Sequence, residues 1–425
     1  MRPSRWRTTA TLLLALGLAL LLGRALDRPD AGGPDAATRR MLESLGYSGW
    51  GEGPAGEGAG VVRLDTARAA PGFNLYTSAP LARAELLALD GTPIHVWADP
   101  EPRAKGWDHV VLGPEGGLYA INGNGVLERW SRDSRRLWRR EIDAHHDLAF
   151  DLDGNPVVLV RRRTEFQRDG RTLPVVDDCL VTLDPRNGTE RRRACLAPQL
   201  ADRIDTSRAD AIARELDARP DSGDWNPKVL DAFHTNSIVF LDRDVPGLGK
   251  RGDAILSVRQ MNAVVVLDPV DGTLRFWWGP GELQHPHHAT LLADDRVLVF
   301  DNGRSRRWSR VLELDPATRA ITWRYGEAED ERFFSAKRGA SQRLANGNVL
   351  VTDSESGRAF EVTRDGDVVF EFANPHIYED KRAAIYRMVR IPPERAAALG
   401  LSSGTPLGNQ GTTGTVPLVP EGLRN

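Results

Sequence analysis

A hairpin that returns at a fixed spacing is the feature of this sequence that most restricts its fold. One copy, VVVLDPVDGTLRFWWG, begins at Val264, and another, VLELDPATRAITWRYG, begins at Val311. Their Asp-Pro pairs, at Asp268 and Asp315, are 47 residues apart, and their final glycines keep that spacing. A second type of hairpin, such as LLADDRVLVFD from Leu291, alternates with the first. Two hairpins per period give the four strands of a β-propeller blade, whereas sandwiches and closed barrels have no reason to repeat at this length.

The repeat predicts an all-β, six-bladed β-propeller over residues 61–391. Counting blades from the first hairpin as far as Asn374 gives about six. One spacing is irregular, because 84 residues separate the Asp-Pro pairs that begin at Asp184 and Asp268. This interval predicts a helical insertion at about 201–230, which we expect to pass over one face of the propeller.

The N-terminal segment predicts export. Three arginines precede an apolar run from Thr11 to Leu22, and Arg24 closes it. A positive flank followed by a short apolar core is typical of export signals, and it leaves two alternatives for residues 1–24, a cleaved signal peptide or an uncleaved signal anchor. Either way the body of the chain is exported, to the periplasm or the cell exterior, and an anchor would hold it at the inner membrane.

The composition outside the repeats agrees with an exported enzyme or binding protein. Residues 25–60 are predicted to be a flexible linker and residues 392–425 a disordered tail, because both are rich in small and polar residues. The net charge is −3, which gives no case for nucleic-acid binding. Cys179 and Cys195 flank two strand-like runs joined by a turn, so an exported chain favours a disulfide between them over two free thiols.

Histidines recur at one position of the repeat. His146 and His287 each lie five residues upstream of equivalent inner hairpin turns, and His234 opens the blade between them. Innermost strands of a propeller converge on its central channel, so we expect these three side chains to meet at the channel mouth. The same register in the next blade is occupied by Gly339.

Three interpretations of this histidine pattern stay open on the residues alone. The histidines stabilise the start of each blade, or they bind a metal through their imidazoles, or they form a site that transfers an anionic group. Arginines favour the last interpretation, because a guanidinium forms a planar fork for oxyanions. The further candidates are neighbouring histidines, arginines and one turn residue, namely His145, His288, Arg259, Arg306, Arg310 and Asn302.

Several stretches together resemble the bacterial arylsulfotransferases that need no adenosine phosphosulfate donor. The resemblance covers about residues 61–391 and rests on GFNLYTS, HHDLAFDLDGN, FHTNSIV, SVRQMNAVVVLD, WWGPGELQHPHHATLL, VFDNG with SRVLELD, and GASQRLANGNVLVTD. It implies a six-bladed propeller that moves a sulfuryl group from a phenolic sulfate ester to a phenol through a histidine. No metal or cofactor is implied, and the partners are small phenolic molecules.

The resemblance also assigns residues motif by motif. His234, His287 and either Arg306 or Arg310 match the family's motifs and become catalytic candidates together with His146. His145, His288, Arg259 and Asn302 become candidates for substrate binding. The family's late histidine, the one that becomes sulfurylated, has no match in this sequence. The alternative function is therefore a propeller of the same fold that binds a ligand or partner without catalysis.

Overall fold

The computed structural model describes residues 49, 51, 56–100, 106–123, 125–168, 171–204, 230–378 and 380–401. Six sheets of four or five strands follow one another along the chain and form the six blades of a propeller, which confirms the predicted fold class. The sequence-predicted signal or anchor at 1–24 and most of the helical insertion lie outside the described residues. Among the residues that are described, no helix is both long and apolar enough to span a bilayer.

The strands up to residue 195 are β1 Gly60–Leu64, β2 Phe73–Thr77, β3 Arg83–Leu87, β4 Pro93–Ala98, β5 Trp107–Leu112, β6 Leu118–Asn122, β7 Val126–Trp130, β8 Arg136–Glu141, β9 Ala144–Phe150, β10 Pro156–Arg168, β11 Arg171–Leu183 and β12 Glu190–Cys195. The remaining strands are β13 Leu230–Asp231, β14 Thr235–Phe240, β15 Ala254–Val258, β16 Ala263–Leu267, β17 Leu274–Trp278, β18 Pro286–Leu291, β19 Val297–Asp301, β20 Arg310–Leu314, β21 Ile321–Tyr325, β22 Ala340–Arg343, β23 Val349–Asp353, β24 Arg358–Val362, β25 Val368–Ala373, β26 Ile377–Tyr378, β27 Lys381–Arg382 and β28 Val389–Ile391. Two short α-helices are described, α1 Ala197–Leu200 and α2 Pro393–Ala398.

The four main strands of each blade are antiparallel, and in blades two to five their order follows the chain. Strand β13 is an addition that pairs in parallel with β11 of the third blade. Blades two to five are β5 to β8, β9 to β12, β14 to β17, and β18 to β21. The first strand of each is innermost, since β9 packs against β14, and β14 packs against β18. The central strands are apolar throughout, as in the fully buried AVVVL of β16, because neighbouring blades cover both of their faces.

The Asp-Pro turns recur because their geometry requires those residues. In the turn after β16, Oδ1 of Asp268 accepts the N–H of Val270 at 2.8 Å, and the carbonyl of Asp268 accepts the N–H of Gly272 at 2.9 Å. Gly272 has a φ of 76°, in the left-handed region that glycine adopts without a Cβ penalty. The repeat seen in the sequence is therefore a repeat of turn chemistry.

The two ends of the propeller sequence close the ring. Strand β28 joins β2, β3 and β4 to complete the first blade, and β1 adds a fifth strand to the edge of the sixth. The side chain of Arg390 secures this closure, because Nε donates to Oδ1 of Asn74 at 2.6 Å and Nη1 pairs with Oε2 of Glu361 at 3.1 Å. The prediction of a disordered tail from residue 392 differs from the structure over residues 393–401, where Ala396 and Leu401 are buried in the core of the first two blades.

The predicted disulfide is confirmed. Strands β11 and β12 pair with Cys179 directly opposite Cys195, and the two sulfurs are bonded. The edge strand β12 is thereby tied to the third blade next to Asp177 and Asp178. These two carboxylates accept backbone N–H groups at the start of α1 and of β14.

Removing this disulfide should destabilise the protein without changing its fold. The bond closes a loop of 16 residues, so we expect the Cys179→Ala/Cys195→Ala variant to lose about 3 kcal/mol of unfolding free energy. Chemical denaturation followed by fluorescence measures the loss. Dithiothreitol should reproduce the loss in the wild-type protein and leave the variant unaffected, and equal stability of the two proteins would contradict the prediction.

Candidate active site

The structure brings the repeat-register histidines to the same end of the propeller. His146 lies in β9, His234 directly precedes β14, and His287 lies in β18, which are the innermost strands of three successive blades. The Nε2 atoms of His146 and His234 are 3.0 Å apart. Burial is the main cause that lowers the pKa of His146, and the charges of His234 and His287 lower it further, so the three imidazoles lie close enough to interact.

A hydrogen-bonded chain runs through two of these histidines. Asp231 accepts Nδ1–H of His234. Burial raises the pKa of this carboxyl, but the charge of His234, its hydrogen bond and the charge of Arg161 together hold the pKa below its usual range. Nε2 of His234 and Nε2 of His146 share one proton between them. Nδ1 of His146 forms a hydrogen bond with the hydroxyl of Tyr386 at 3.0 Å. The four groups form a path along which a proton can move.

His287 is fixed in one tautomer by Asn302. The amide nitrogen of Asn302 donates to the carbonyl oxygens of Ser335 and Arg338, both at 2.6 Å, so its Oδ1 faces the imidazole. This oxygen accepts Nδ1–H of His287 at 2.6 Å. The lone pair of His287 therefore resides on Nε2, a buried atom that has no hydrogen-bond partner among the described residues. Burial, followed by the charge of Arg259, lowers the pKa of His287 well below its usual range, so the ring is neutral at pH 7.

A second cluster is centred on the buried carboxylate of Asp147. Nε2 of His109 lies 3.1 Å from this carboxylate, and Arg387 binds both of its oxygens through Nη1 and Nη2, also at 3.1 Å. The remaining Nε–H of Arg387 is buried and has no acceptor. The charge of Arg387 reaches His288, whose pKa is lowered to about 3 by burial and by this arginine.

The backbone at this end of the propeller is strained. Four histidines, His146, His234, His285 and His288, have φ values of 56°, 49°, 57° and 44°. Residues with a Cβ rarely adopt this left-handed region, and such residues cluster at functional sites, where neighbouring structure enforces them. The inner strands also carry buried side-chain atoms without hydrogen-bond partners, namely Thr235 Oγ1, Asn236 Oδ1, Ser237 Oγ and Ser341 Oγ. Strain and unsatisfied polar groups together indicate a site built to bind a polar ligand.

A family model described as arylsulfotransferase (ASST) matches residues 116–375, which include all of these groups except Tyr386, Arg387 and His109. The chain belongs to the arylsulfotransferase family. The match spans well over half of the sequence and includes the blades that carry His146, His234 and His287. No curated protein sequence matches the chain.

This arylsulfotransferase-family protein is also similar to solved structures at low identity. A protein of unknown function from Bacteroides caccae is 12% identical with a TM-score of 0.48, over 74% of this chain and 98% of that one. Virginiamycin B lyase from Staphylococcus aureus is 12% identical with a TM-score of 0.42, and the match covers 74% of this chain and 87% of the lyase. A periplasmic gluconolactonase from Pseudomonas aeruginosa is 15% identical with a TM-score of 0.42, and the match covers 76% of this chain and 99% of the gluconolactonase. These identities are too low to indicate a shared activity.

The predicted arginines of the arylsulfotransferase motif occupy an ion-pair network of their own. Arg310 and Arg306 contact Oδ2 of the buried Asp301 at 2.9 and 3.1 Å. Arg310 also pairs with Glu282 and Glu327 at 2.8 and 2.7 Å. Three carboxylates therefore neutralise Arg310. By binding Asp301, Arg310 can hold in place the chain segment that carries the next residue, Asn302.

The other predicted residues lie beside the three central histidines. Nε2 of His145 is 3.2 Å from Oδ1 of Asp178, which also accepts the N–H of Thr235 through Oδ2. Nδ1 of His288 donates to the carbonyl of Ser341 at 2.9 Å. Of the described side chains, only Asp177, Cys179 and Cys195 place three metal-ligating atoms within 4.8 Å of one another, and both cysteines are used in the disulfide.

Five residues of the candidate site were not predicted from the sequence, namely Asp231, Asp147, Tyr386, Arg387 and His109. Asp147 had a local signal, because it directly follows the two predicted histidines His145 and His146. Asp231 had another, a carboxylate three residues before a predicted catalytic histidine. Tyr386 and Arg387 lie after the last hairpin repeat, in the segment that leads into the closing strand β28, where no repeat register marks them.

The buried histidines should make the protein acid-labile. Burial is the main cause that lowers the pKa of His109, His145, His146, His287 and His288 below 6.5. As pH falls below about 6.5 the unfolded chain takes up protons that the folded protein does not, so each histidine removes up to about 1.4 kcal/mol of stability per pH unit. Asp177 and Asp353, whose pKa values are raised to about 6 by burial, act in the opposite direction but are fewer.

Denaturant unfolding at pH 7.5, 6 and 5 measures this effect. We expect the unfolding free energy to fall as pH falls. His288→Gln should reduce the slope of unfolding free energy against pH by the amount that about one bound proton contributes. A stability that is constant or rises between pH 7.5 and 5 would show that these histidines are protonated in the folded protein.

Proposed function

We propose that this protein transfers a sulfuryl group from a phenolic sulfate ester to a phenol, with Nε2 of His287 as the intermediate carrier. The observation that carries the proposal is the state of His287. Its Nδ1–H is held by Asn302, its Nε2 lone pair is unpartnered, and burial keeps the ring neutral. A neutral imidazole with a free lone pair is a nucleophile at pH 7.

The first half-reaction forms an N–S bond. Nε2 of His287 attacks sulfur, the S–O bond to the aryl group breaks, and the phenolate leaves with the electron pair. Negative charge on the three sulfuryl oxygens is stabilised by donors in the channel, as in loose phosphoryl transfer. The unpartnered Nε–H of Arg387, the Oγ–H of Ser341 and the positive charge of Arg259 are the groups proposed for this role.

The second half-reaction reverses these bonds with a new acceptor. The oxygen of the acceptor phenol attacks sulfur, the N–S bond breaks, and the electron pair returns to Nε2 of His287. In the first half-reaction, protonated His234 passes a proton through His146 and Tyr386 to the leaving phenolate. In the second, the acceptor phenol returns a proton to His234 by the same path. Asp231 serves this exchange by stabilising the protonated form of His234.

A second candidate function is a propeller that binds a phenolic ligand without catalysis. The observation in its favour is Gly339, which occupies the histidine register of the sixth blade at a φ of 143°. A Cβ at this position would lie 2.1 Å from the ring of Phe300, so the backbone there excludes any larger side chain. The family's sulfurylated late histidine has no counterpart at this position.

An activity assay separates the two functions. The purified full-length chain is mixed with 4-nitrophenyl sulfate, with and without excess phenol, and release of nitrophenol is followed by absorbance. The proposal predicts release that depends on the acceptor. Release that is independent of acceptor would mean hydrolysis, and binding of the ester without any release would favour the non-catalytic propeller.

We also propose that the protein acts outside the cytoplasm. The arginine-flanked apolar run at residues 1–24 and the Cys179–Cys195 disulfide support this location, because structural disulfides persist in oxidising compartments. Fractionation of cells that express a tagged chain tests it, and recovery of the protein in the cytoplasm with free thiols would contradict it.

A further inference from the structure

A cavity of about 400 Å³ lies on the sixth blade, beside the segment that leads into β1. Four of its lining side chains, Val62, Phe334, Ala336 and Ala373, give it an apolar wall. Its volume is within the range of sites that enclose small organic ligands. The catalytic residues assigned above are not part of its lining.

One carboxylate oxygen in this cavity has no partner. Oε2 of Glu355 accepts the hydroxyl of Ser335 at 2.7 Å and the N–H of Lys337 at 3.3 Å. Oε1 of the same carboxylate is buried and accepts no hydrogen bond from the part of the chain that the structure describes. A buried carboxylate oxygen without a donor is costly, which indicates that a ligand provides the donor.

The cations of the cavity wall are already engaged. Nε of Arg358 pairs with Glu371 at 2.6 Å. Nη2 of Arg382 donates to the carbonyl oxygens of Gly56 and Gly58 at 2.6 and 2.8 Å. Neither arginine bonds to Glu355. Glu57 in the same wall is exposed to solvent, so Glu355 is the acid that offers a buried oxygen to a ligand, and a cationic donor on an apolar body complements it.

Glu355 is also linked to the candidate nucleophile. The hydroxyl of Ser335 donates to Glu355. The backbone carbonyl oxygen of Ser335 accepts the side-chain amide N–H of Asn302 at 2.6 Å. Asn302 in turn holds Nδ1–H of His287, at 2.6 Å. Three consecutive contacts therefore connect the cavity to the imidazole, and all of their members except Glu355 itself are fully buried.

We propose that this cavity is a binding site for a small organic ammonium compound with an apolar body, and that its occupancy is transmitted to His287 through Ser335 and Asn302. The ammonium group donates to Oε1 of Glu355, and the apolar body packs against Phe334 and Ala336. A ligand that draws Glu355 toward the cavity alters its bond to Ser335 and hence the position of Asn302. The binding half of this proposal does not depend on sulfuryl transfer.

Calorimetry on the full-length chain tests the binding. The probes are 2-phenylethylammonium and its neutral analogue 2-phenylethanol, which share the apolar body and differ in charge. We expect the ammonium to bind at least about tenfold more tightly. Glu355→Gln should remove this preference, and Ala336→Trp should abolish binding of both probes by filling the cavity. Glu57→Gln, at an exposed acid of the same wall, is the matched control and should keep the preference.

Two results would overturn the site. One is failure of the ammonium to bind, and the other is a preference for it that survives both Glu355→Gln and Ala336→Trp. Near-ultraviolet circular dichroism identifies any variant that has lost its fold. If one of Glu355→Gln and Ala336→Trp is unfolded, the binding measured with the other variant tests the site. Because no turnover is measured, a failure here is distinct from a failure of the proposed transfer.

Nuclear magnetic resonance of ¹⁵N-histidine tests the coupling. Saturating 2-phenylethylammonium should shift the ring nitrogen resonances of His287 in the wild-type protein. Ser335→Ala removes the hydroxyl that contacts Glu355 but keeps the carbonyl that contacts Asn302, so the shift should be lost while binding persists. Binding without any shift in the wild-type protein would overturn the coupling.

Discussion

His287→Ala is expected to lower kcat/KM for sulfuryl transfer by at least about 10³-fold, because it removes the atom that accepts sulfur. No other described imidazole combines a lone pair fixed by an amide with a buried, unpartnered Nε2. The loss should appear equally with every donor and acceptor, since both half-reactions pass through the same nitrogen. Stopped-flow and steady-state measurements of nitrophenol release give this ratio.

A matched histidine provides the control for this variant. His95 lies in β4, the outermost strand of the first blade, and its Nε2 donates to the carbonyl of Arg132 at 2.7 Å. His95→Ala removes an imidazole remote from the inner strands and should leave kcat/KM within about twofold of the wild-type value. Retained transfer in His287→Ala, with its fold verified by circular dichroism, would remove His287 from the mechanism.

Asp231→Asn is expected to slow transfer by about 10²- to 10⁴-fold with a smaller change in KM. The carboxylate accepts Nδ1–H of His234 and stabilises the imidazolium, whereas an amide can present its N–H₂ group and reverse the tautomer. The loss should be greatest with donors whose phenols are poor leaving groups, since these depend most on protonation. A plot of log kcat against the pKa of the leaving phenol measures that dependence.

An exposed carboxylate serves as the control for Asp231. The side chain of Asp242 is 71% exposed and contacts only the neighbouring Arg243 by its carboxylate, so Asp242→Asn should leave the rate and the slope of the plot unchanged. If Asp231→Asn lowers the rate by the same factor for every leaving group, the residue positions His234 without taking part in proton transfer. An unchanged rate would exclude both roles.

The fold could be predicted from the sequence because its blades are built from local turns. The Asp268 turn needs an aspartate that accepts N–H groups and a residue at positive φ. The same turn recurs 47 residues later at Asp315, where Arg319 takes the place of glycine at a φ of 61°. The repeat then fixes which strands are innermost, and this register placed His146, His234 and His287 at one end. The closing strand β28 has no such turn before it, so its pairing with β2 carries no local signal.

The candidate site was less predictable because its contacts cross the ring. Tyr386 reaches His146 across 240 residues of chain, and Arg387 reaches Asp147 across the same separation. Such distances in sequence leave no spacing to detect. Arg310 shows the converse, because a motif predicted a catalytic role for it, whereas the structure pairs its guanidinium with three carboxylates. Asn302 looks like a turn residue in sequence, and only its three hydrogen bonds reveal its hold on His287.

The central claim is that His287 carries the sulfuryl group, and trapping that group tests it most directly. The full-length protein is mixed with excess 4-nitrophenyl sulfate without acceptor and quenched at alkaline pH, where a sulfamate-type N–S bond survives. It is then digested and analysed by mass spectrometry. We predict one added sulfuryl group on the peptide that contains His287, located on the imidazole by fragmentation and lost when phenol is added before the quench. An adduct on His288 or Ser341 instead, or acceptor-dependent turnover with no adduct on any residue, would contradict the account.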